Sequence, residues 1–177
     1  MIRSDRTVTR SFRISELSLK ALQEEAQTQN ISVNTLVNQI ILSYTNFDKY
    51  AKKFNFIRLS SLALRYILEA IPDEAVIRAS YNAGKEVSEP FILAKHGTLN
   101  LETVLEYLRS LSIYANLFEY NEVDKDEKKV ITLMHTLGGK GSLFIAHFIQ
   151  PIFERIGINA YFSLSDHAVV IEIKEGP

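Results

Sequence analysis

The pattern of hydrophobic and polar positions changes period once near the start of the chain, at Ser15. Polar and apolar residues alternate through TRSFRIS, residues 9–15, and this alternation predicts a short strand at 8–14. After Ser15 the apolar residues recur three and four positions apart, which predicts a helix at 16–29. A second helix is predicted after Ser32. Its apolar stripe consists of Val33, Leu36, Val37, Ile40 and Ile41.

The residues at the ends of these two helices fit their positions. Ser15 and Ser32 are expected N-caps, because a serine hydroxyl can accept a hydrogen bond from a first-turn backbone N–H. Asn30 is expected to end the first helix in a left-handed conformation, in place of glycine. The second helix is more apolar than a free surface helix, so we expect it to pack against more than the first helix.

A polar and charged stretch, TNFDKYAKKFN at 45–55, is the predicted boundary between an N-terminal module at 1–50 and a larger domain at 56–177. The domain opens with FIRLSS, a candidate short strand. Three helical patterns follow, at about 60–70, at 73–95 with a break at Pro90, and at 101–114 after the cap Asn100.

The final third of the chain changes to strand-like patterns. NLFEY and VITLMH predict two strands joined by the charged turn NEVDKDEKK, and NAYFSL and AVVIEI predict a second hairpin. Between them SLFIAHFIQPIFERIG predicts a buried helix, capped by Ser142, kinked at Pro151 and ended by Gly157. The larger domain is therefore predicted to be α+β, with an antiparallel sheet and several helices on one face.

Composition narrows the classes of protein that fit. The chain has 177 residues and no cysteine, which excludes disulfides, thiolate catalysis and zinc sites that need sulfur ligands. No apolar run approaches the roughly 18 residues of a membrane span, and the polar start is unlike a signal peptide. We expect a cytoplasmic protein without a membrane partner.

The distribution of charge along the chain is more informative than the net charge. The formal net charge is −1, so the whole chain shows no electrostatic preference for nucleic acid. Residues 1–20 contain Arg3, Arg6, Arg10, Arg13 and Lys20 against Asp5 and Glu16. This local excess of positive charge predicts a small basic patch at the N-terminus.

The predicted strand at 8–14 has two different faces and no partner strand nearby in the chain. The apolar face consists of Val8, Phe12 and Ile14. The polar face consists of Thr9, Ser11 and Arg13. A single strand of this length is unstable in water, so we expect it to pair with the same strand of a second copy across a two-fold axis. The resulting ribbon fits the major groove of DNA, where arginine can bond bidentately to guanine.

With these features, residues 8–44 resemble a ribbon-helix-helix DNA-binding domain of the Arc/MetJ/CopG superfamily. The resemblance rests on VTRSFRIS, on ELSLKALQEEAQTQN with a small Ala26 late in the helix, and on ISVNTLVNQIILSY. In that family three alternate strand residues read bases, and the start of the second helix holds a phosphate through backbone N–H groups. The resemblance therefore assigns base reading to Thr9, Ser11 and Arg13. It assigns phosphate binding to Ser32, Val33 and Asn34.

Arg10 departs from the family pattern. It shares the inward parity of Phe12 and Ile14, where the family often has an apolar residue. Because it lies near the end of the ribbon, we expect its side chain to emerge and bind a phosphate. In an alternative register, slipped by one residue, Arg10 and its neighbours form the reading face. The alternative to DNA binding is a helical hairpin whose strand packs on the larger domain.

The larger domain carries three groups of residues that could support other chemistry. His135, His147 and His167 lack the spacing of a metal site, so we interpret His135 and His147 as core histidines and expect no metal or other cofactor. The glycine-rich HTLGGKGS at 135–142 could hold an anion on Lys140, Gly141 and Ser142, but a tight turn is the preferred interpretation. Asp166 and His167 are adjacent and do not place a base against a nucleophile, so we do not expect an enzyme.

These observations predict a homodimeric, sequence-specific DNA-binding transcriptional regulator, and they leave open whether dimers associate further into a tetramer. Its larger domain would sense a small-molecule effector or mediate oligomerisation. One alternative is an antitoxin-type autoregulator whose C-terminal region binds a protein partner. Another is a structural DNA-binding protein without sequence preference.

Overall fold

The computed structural model describes residues 7–125 and 128–174 of the chain. The chain divides into two compact units, Met1–Ser43 and Tyr44–Pro177, which we call the first and second units. Each unit is described by itself.

The first unit contains two helices, α1 at Glu16–Thr28 and α2 at Val33–Ser43. Asn30 between them has a φ of 54°, and the backbone N–H of Ile31 donates to the carbonyl oxygen of Ala26 at 2.9 Å. This closes α1 in the left-handed manner expected of Asn30. Among the described residues of this unit only Ala26 and Leu36 are buried, so a single copy has very little core.

The second unit begins with helical segments that lead into a long central helix. A π-helical turn at Tyr44–Asp48 is followed by α3 at Lys49–Lys53, α4 at Ser61–Glu69, α5 at Asp73–His96 and α6 at Leu101–Ile113. α5 has two acidic residues in its first turn and ends at Gly97, whose φ is 72°. α6 begins with a capping box, in which Asn100 and Thr103 each accept the other's backbone N–H through their side chains.

The sheet of the second unit has four antiparallel strands in the order β1-β2-β4-β3. The strands are β1 at Glu119–Lys125, β2 at Lys128–Met134, β3 at Ala160–Leu164 and β4 at Ala168–Lys174, with α7 at Gly138–Arg155 between the two hairpins. Ile131 pairs with Ile171 and Leu133 with Val169, so the buried residues of β2 and β4 share one face. The expected α+β class and the antiparallel sheet are confirmed.

The core of the second unit lies between this face of the sheet and helices α5, α6 and α7. Phe91 on α5 is completely buried, and the rings of Phe47, Tyr50, Phe54 and Phe56 pack around it with centroid distances of 5.5–5.8 Å. Helices α5 and α7 approach closely at Gly84, where a Cβ atom would overlap the backbone carbonyl of Phe148. No helix in the described ranges is both long and apolar enough to cross a membrane.

The segment 45–55, expected as a boundary after a module at 1–50, is helical and belongs to the second unit, which starts at Tyr44. Although the segment is rich in charged residues, its apolar residues pack into the core of the second unit. Phe47 and Ala51 are buried in the core, and Tyr50 and Phe54 pack against it. These aromatic contacts with Phe91 hold the segment in place, and the polar appearance of the sequence does not reveal them.

Three further local predictions differ from the structure. Residues 56–60 form no strand, and Ser60 instead caps α4 by accepting from the N–H of Ala63. α5 continues through Pro90, because the completely buried Phe91 and Ile92 hold the backbone there. α7 begins at Gly138, whose φ is 74°, so Ser142 lies inside the helix rather than at its cap.

The first hairpin also has longer strands than expected. β1 and β2 extend into 121–129, which was assigned to a turn, and residues 126 and 127 of that turn lie outside the described residues. Asp124 pairs with Lys129 in the register, and Lys129 Nζ lies 2.6 Å from an Asp124 carboxylate oxygen. Opposite charges on neighbouring strands stabilise their pairing, so these charged residues extend the two strands instead of forming a turn.

Candidate nucleic-acid interface

The polar residues predicted to read bases all lie on one exposed segment. Thr9, Ser11 and Arg13 belong to residues 7–15, which lie outside the helices and strands of the single chain, and every residue of the segment is exposed. No partner strand for this segment occurs among the described residues. The backbone is therefore accessible to a strand of another chain.

The apolar residues of the same segment are equally exposed. Val8 has 74% of its surface exposed, Phe12 72% and Ile14 52%. Large side chains at these levels of exposure lose the free energy that burial would provide, about 1.5–3 kcal/mol each.

Arg10 is exposed on the same segment. The remaining basic residues that the sequence places in this patch, Arg3 and Arg6, lie outside the described residues, as does Asp5. Of the predicted patch the structure thus describes Arg10, Arg13 and Lys20, and Lys20 lies 3.9 Å from Glu24 on the same helix.

The start of α2 is a capped helix N-terminus. The Ser32 hydroxyl accepts the backbone N–H of Thr35 at 3.0 Å, which confirms Ser32 as the cap. The N–H groups of Val33 and Asn34 lie in the first turn, where the helix itself has no acceptor for them, and the helix dipole places partial positive charge there. Ser32 and Asn34 are exposed and Val33 is half-buried.

His135 in the second unit is a buried histidine whose hydrogen bonds are satisfied. Its Nδ1 accepts the backbone N–H of Leu137 at 3.2 Å, and its Nε2 lies 2.9 Å from the Ser142 hydroxyl. Because Nδ1 accepts, the proton of the neutral ring is on Nε2, which donates to Ser142, and Ser142 donates to the carbonyl of Ser165. In this arrangement His135 is not a base for Ser142.

The other histidines do not converge on a common ligand. His147 Nδ1 lies 3.0 Å from Gln150 on the same helix, and His167 is exposed in the turn before β4. Within residues 7–125 and 128–174 no group of three or more His, Cys, Asp or Glu side chains is placed to hold a metal ion. His96 was not singled out from the sequence. Its Nε2 is buried without a hydrogen-bond partner among the described residues, and burial lowers its pKa.

The glycine-rich stretch at 135–142 serves packing between α4, α7 and the following chain. Lys140 donates to the backbone carbonyls of Ile71 and Glu69 and lies 3.4 Å from Asp73, so its charge is engaged within the protein. Gly141 contacts Leu137 so closely that a Cβ atom would overlap that side chain. Residues 138–142 are the first residues of α7, so most of this stretch is the start of a helix and not the tight turn that was expected.

A charged cluster at the β1–α6 junction was missed in the sequence. Glu122 accepts from Tyr120 Oη at 2.6 Å, from Lys129 Nζ at 2.6 Å and from Arg109. Burial alone would raise the pKa of Glu122, but these hydrogen bonds outweigh burial and lower the pKa to about 2. Lys129 lies seven and Arg109 thirteen residues from Glu122 in the sequence, and they meet it only through the pairing of β1 with β2 and the packing of α6 beside β1.

A groove of about 350 Å³ lies between α5 and α7 of the second unit. Its polar groups are largely paired with each other. Tyr81 donates to Glu154 at 2.6 Å, and Arg155 lies 2.9 Å from Glu89. A small polar molecule that binds in the groove would therefore have to replace hydrogen bonds that these side chains already make with each other.

Comparison of the chain with protein-family models, with curated proteins and with solved structures finds no match.

Proposed function

We propose that the protein is a homodimeric, sequence-specific DNA-binding transcriptional regulator of the ribbon-helix-helix type. In this proposal residues 8–14 of two copies form an antiparallel ribbon that enters the major groove. Thr9, Ser11 and Arg13 read base edges, while Arg10 and the first turn of α2 bind the phosphates beside them.

The observation that carries the proposal is the composition of the exposed surface of the first unit. Large apolar side chains are exposed on the N-terminal segment and on both helices. They are Val8, Phe12, Ile14, Leu17, Leu19, Ile40, Ile41 and Leu42. From residue 7 onward, where the structure describes this unit, only Ala26 and Leu36 are buried, and so small a core needs a partner surface to be stable. A second copy supplies both that surface and the missing strand.

The order of these elements supports DNA as the ligand. An exposed segment that carries Thr9, Ser11 and Arg13 is followed by two helices, and the second helix starts with a capped, exposed first turn. A major groove accepts a two-stranded ribbon, and a helix N-terminus accepts a phosphate. The second unit has its own folded core and is proposed to sense an effector, for which the α5–α7 groove is the candidate place, or to mediate assembly.

The test is selection of bound duplexes from a random pool with the full chain, followed by affinity measurements on the enriched and a scrambled duplex. We expect an enriched site with two-fold symmetry. Affinity should fall steeply between about 50 and about 200 mM salt, because phosphate contacts release counterions. Equal affinity for both duplexes would instead favour a structural DNA-binding protein.

Arg13→Ala tests the reading residue directly. It should cost about 1–3 kcal/mol for each lost guanine contact and reduce the preference for the enriched duplex. Arg78→Ala removes the same charge from an exposed position on α5 and should leave that preference unchanged.

A monomeric protein, or DNA affinity that does not change with salt concentration, would contradict the proposal. A small protein that co-purifies with the chain would favour the antitoxin-type alternative.

A further inference from the structure

Strand β3 forms one edge of the sheet in the second unit. Opposite residues of an antiparallel pair alternate between hydrogen-bonded and non-hydrogen-bonded positions, and the N–H of Ser165 donates to the carbonyl of Ala168 at 2.9 Å. Counting back from Ser165, the residues of β3 that bond to β4 are therefore Ser163 and Tyr161. The residues that alternate with them direct their N–H and C=O groups away from the sheet. These outward residues are Ala160, Phe162 and Leu164.

The outward groups of β3 have no backbone partner within the described residues. The strand AYFSL also contains no charge and no proline, which are the features that usually protect an edge. The other edge of the sheet is protected. β1 carries four charged side chains, and Ser112 accepts the outward N–H of Tyr120. Of the two edges, β3 is therefore the one that is open to pairing with another strand.

The sequence of β3 is complementary to itself in one antiparallel register. With Phe162 on a two-fold axis, Phe162 pairs with the partner's Phe162 and Ala160 pairs with the partner's Leu164. This register uses the N–H and C=O groups of all three outward residues. A shift by two residues leaves one outward residue unpaired, and a shift by one directs outward groups against groups that already bond to β4.

The side chains fit the same register. Ala160, Phe162 and Leu164 lie on the face of β3 that continues the core, because Phe162 pairs with the buried Ile171 of β4. On this face the small Ala160 meets the large Leu164 of the partner. On the opposite face the small Ser163 meets the partner's Tyr161. Each small side chain is thus placed opposite a large one, and no like charges meet.

We infer that β3 pairs with β3 of a second copy of this chain, antiparallel about a two-fold axis at Phe162, so that two four-stranded sheets join into one. Any strand could match the backbone groups, but self-pairing also matches the sizes of the side chains. Residues 8–14 are the other exposed segment without a partner strand in the described chain. They would bring Arg10 and Arg13 against a strand that has no acidic side chain.

This pairing goes beyond the proposed DNA binding and does not depend on it. If the first units also pair, the tether raises the local concentration of one β3 near the other, so a weak contact is sufficient. The inference assigns the assembly role of the second unit to one defined strand edge.

Disulfide trapping tests the register, because the chain contains no cysteine. Tyr161→Cys and Ser163→Cys chains are prepared separately, mixed under reducing conditions and oxidised without DNA. In the proposed register these positions form a non-hydrogen-bonded pair, whose Cα atoms lie about 4.5 Å apart and within the reach of a disulfide. We expect disulfide-linked dimers of unlike chains in several-fold excess over like pairs. The control is Val123→Cys, which is similarly exposed on the same face of the sheet but lies on β1.

Leu164→Pro, added to both cysteine chains, tests the backbone pairing. Proline removes the outward N–H of this position, which makes no bond to β4, and an edge strand tolerates proline where the N–H faces away from the sheet. We expect the yield of unlike dimers to fall several-fold, with an unchanged circular dichroism spectrum. Leu164→Ala shortens the same side chain but keeps the N–H, and it should retain most of the yield.

A yield of unlike dimers no higher than the Val123→Cys background would overturn the inference, and an excess of like pairs would overturn the register. Equal yields with Leu164→Pro and Leu164→Ala would show that the outward backbone groups are not used. Preferential trapping of Ser163→Cys by a Ser11→Cys chain would show that residues 8–14 occupy the edge, and the inference would fail. Because no DNA is present, a failure of the proposed DNA binding does not change these outcomes.

Discussion

Nε2 of His135 lies 2.9 Å from the hydroxyl oxygen of Ser142, in the interior of the second unit. The same hydroxyl donates to the carbonyl of Ser165, and the backbone N–H of His135 donates to the carbonyl of His167 at 2.9 Å. The histidine thus joins the end of β2, helix α7 and the turn before β4. The network uses the neutral ring, with one nitrogen donating and the other accepting.

Stability should therefore fall in mild acid. Burial, and then the nearby His167, lowers the pKa of His135 below the ordinary value of 6.5. Below about pH 6.5 the unfolded chain takes up a proton on His135 that the folded protein does not. The contribution of neutral His135 to the free energy of unfolding is therefore complete above that pH, and it is lost as the pH falls towards the lower pKa of the folded state. We expect urea unfolding at about pH 7.5 and about pH 5 to record this loss, with a slope of up to about 1.4 kcal/mol per pH unit.

His135→Gln separates this effect from general acid sensitivity. Glutamine retains a donor and an acceptor but does not titrate, so the variant should lose less free energy of unfolding between the two pH values. His147→Gln is the matched control, because His147 bonds to Gln150 on its own helix, and it should retain the pH dependence of the parent. The same dependence in His135→Gln as in the parent would assign the acid sensitivity to other groups.

The carboxylate of Glu122 should stabilise the sheet at neutral pH. Its pKa of about 2 lies below the ordinary value of 4.5, so its stabilisation is complete above about pH 4.5 and is lost as the pH falls towards 2. Glu122→Gln should lower the free energy of unfolding at neutral pH by about 1–3 kcal/mol. The difference between parent and variant should shrink at acid pH, as measured by denaturant unfolding.

Glu106→Gln is the control for Glu122, since both carboxylates pair with Arg109 but the side chain of Glu106 is half exposed. Exposed ion pairs contribute little, so we expect a loss of less than about 1 kcal/mol. Equal losses for the two variants would mean that the bonds from Tyr120 and Lys129 to Glu122 contribute nothing to stability.

Local signals in the sequence were sufficient for the helix ends of the first unit. Ser15, Asn30 and Ser32 have the conformations and hydrogen bonds that their residue types predict, because a cap depends only on residues within one turn. The two hairpins around α7 were also predictable, because each joins strands that are neighbours in the chain.

Packing between distant segments decided the features that sequence patterns did not reveal. Pro90 does not interrupt α5, because the next residue, Phe91, is buried and holds the helix in place. Phe47 belongs to the core because its ring packs against Phe91. The Glu122 cluster depends on the pairing of β1 with β2, within a stretch whose charges suggested a turn. The pairing of residues 8–14 with a second copy stays a prediction, since the described part of one chain contains no partner strand for them.

The close approach of α5 and α7 makes Gly84 a sensitive position. A Cβ atom there would overlap the carbonyl oxygen of Phe148, which belongs to the backbone and cannot rotate away. Gly84→Ala should therefore force the helices apart and lower the free energy of unfolding by about 1–3 kcal/mol or more, despite the better helix propensity of alanine. Asn82→Ala, at an exposed position of the same helix, should change stability by less than about 0.5 kcal/mol in thermal or denaturant unfolding. A Gly84→Ala variant as stable as Asn82→Ala would contradict this packing.

Asn34→Asp distinguishes a phosphate site at the start of α2 from an ordinary helix cap. The substitution keeps the shape of the side chain and adds a negative charge, which stabilises a helix N-terminus but repels a phosphate bound there. We therefore expect equal or higher thermal stability together with DNA binding at least tenfold weaker at low salt. Gln39→Glu adds the same charge at an exposed position further along α2 and should weaken binding less. Equal weakening by both variants would indicate a general effect of charge, and unchanged binding by Asn34→Asp would remove the start of α2 from the DNA interface.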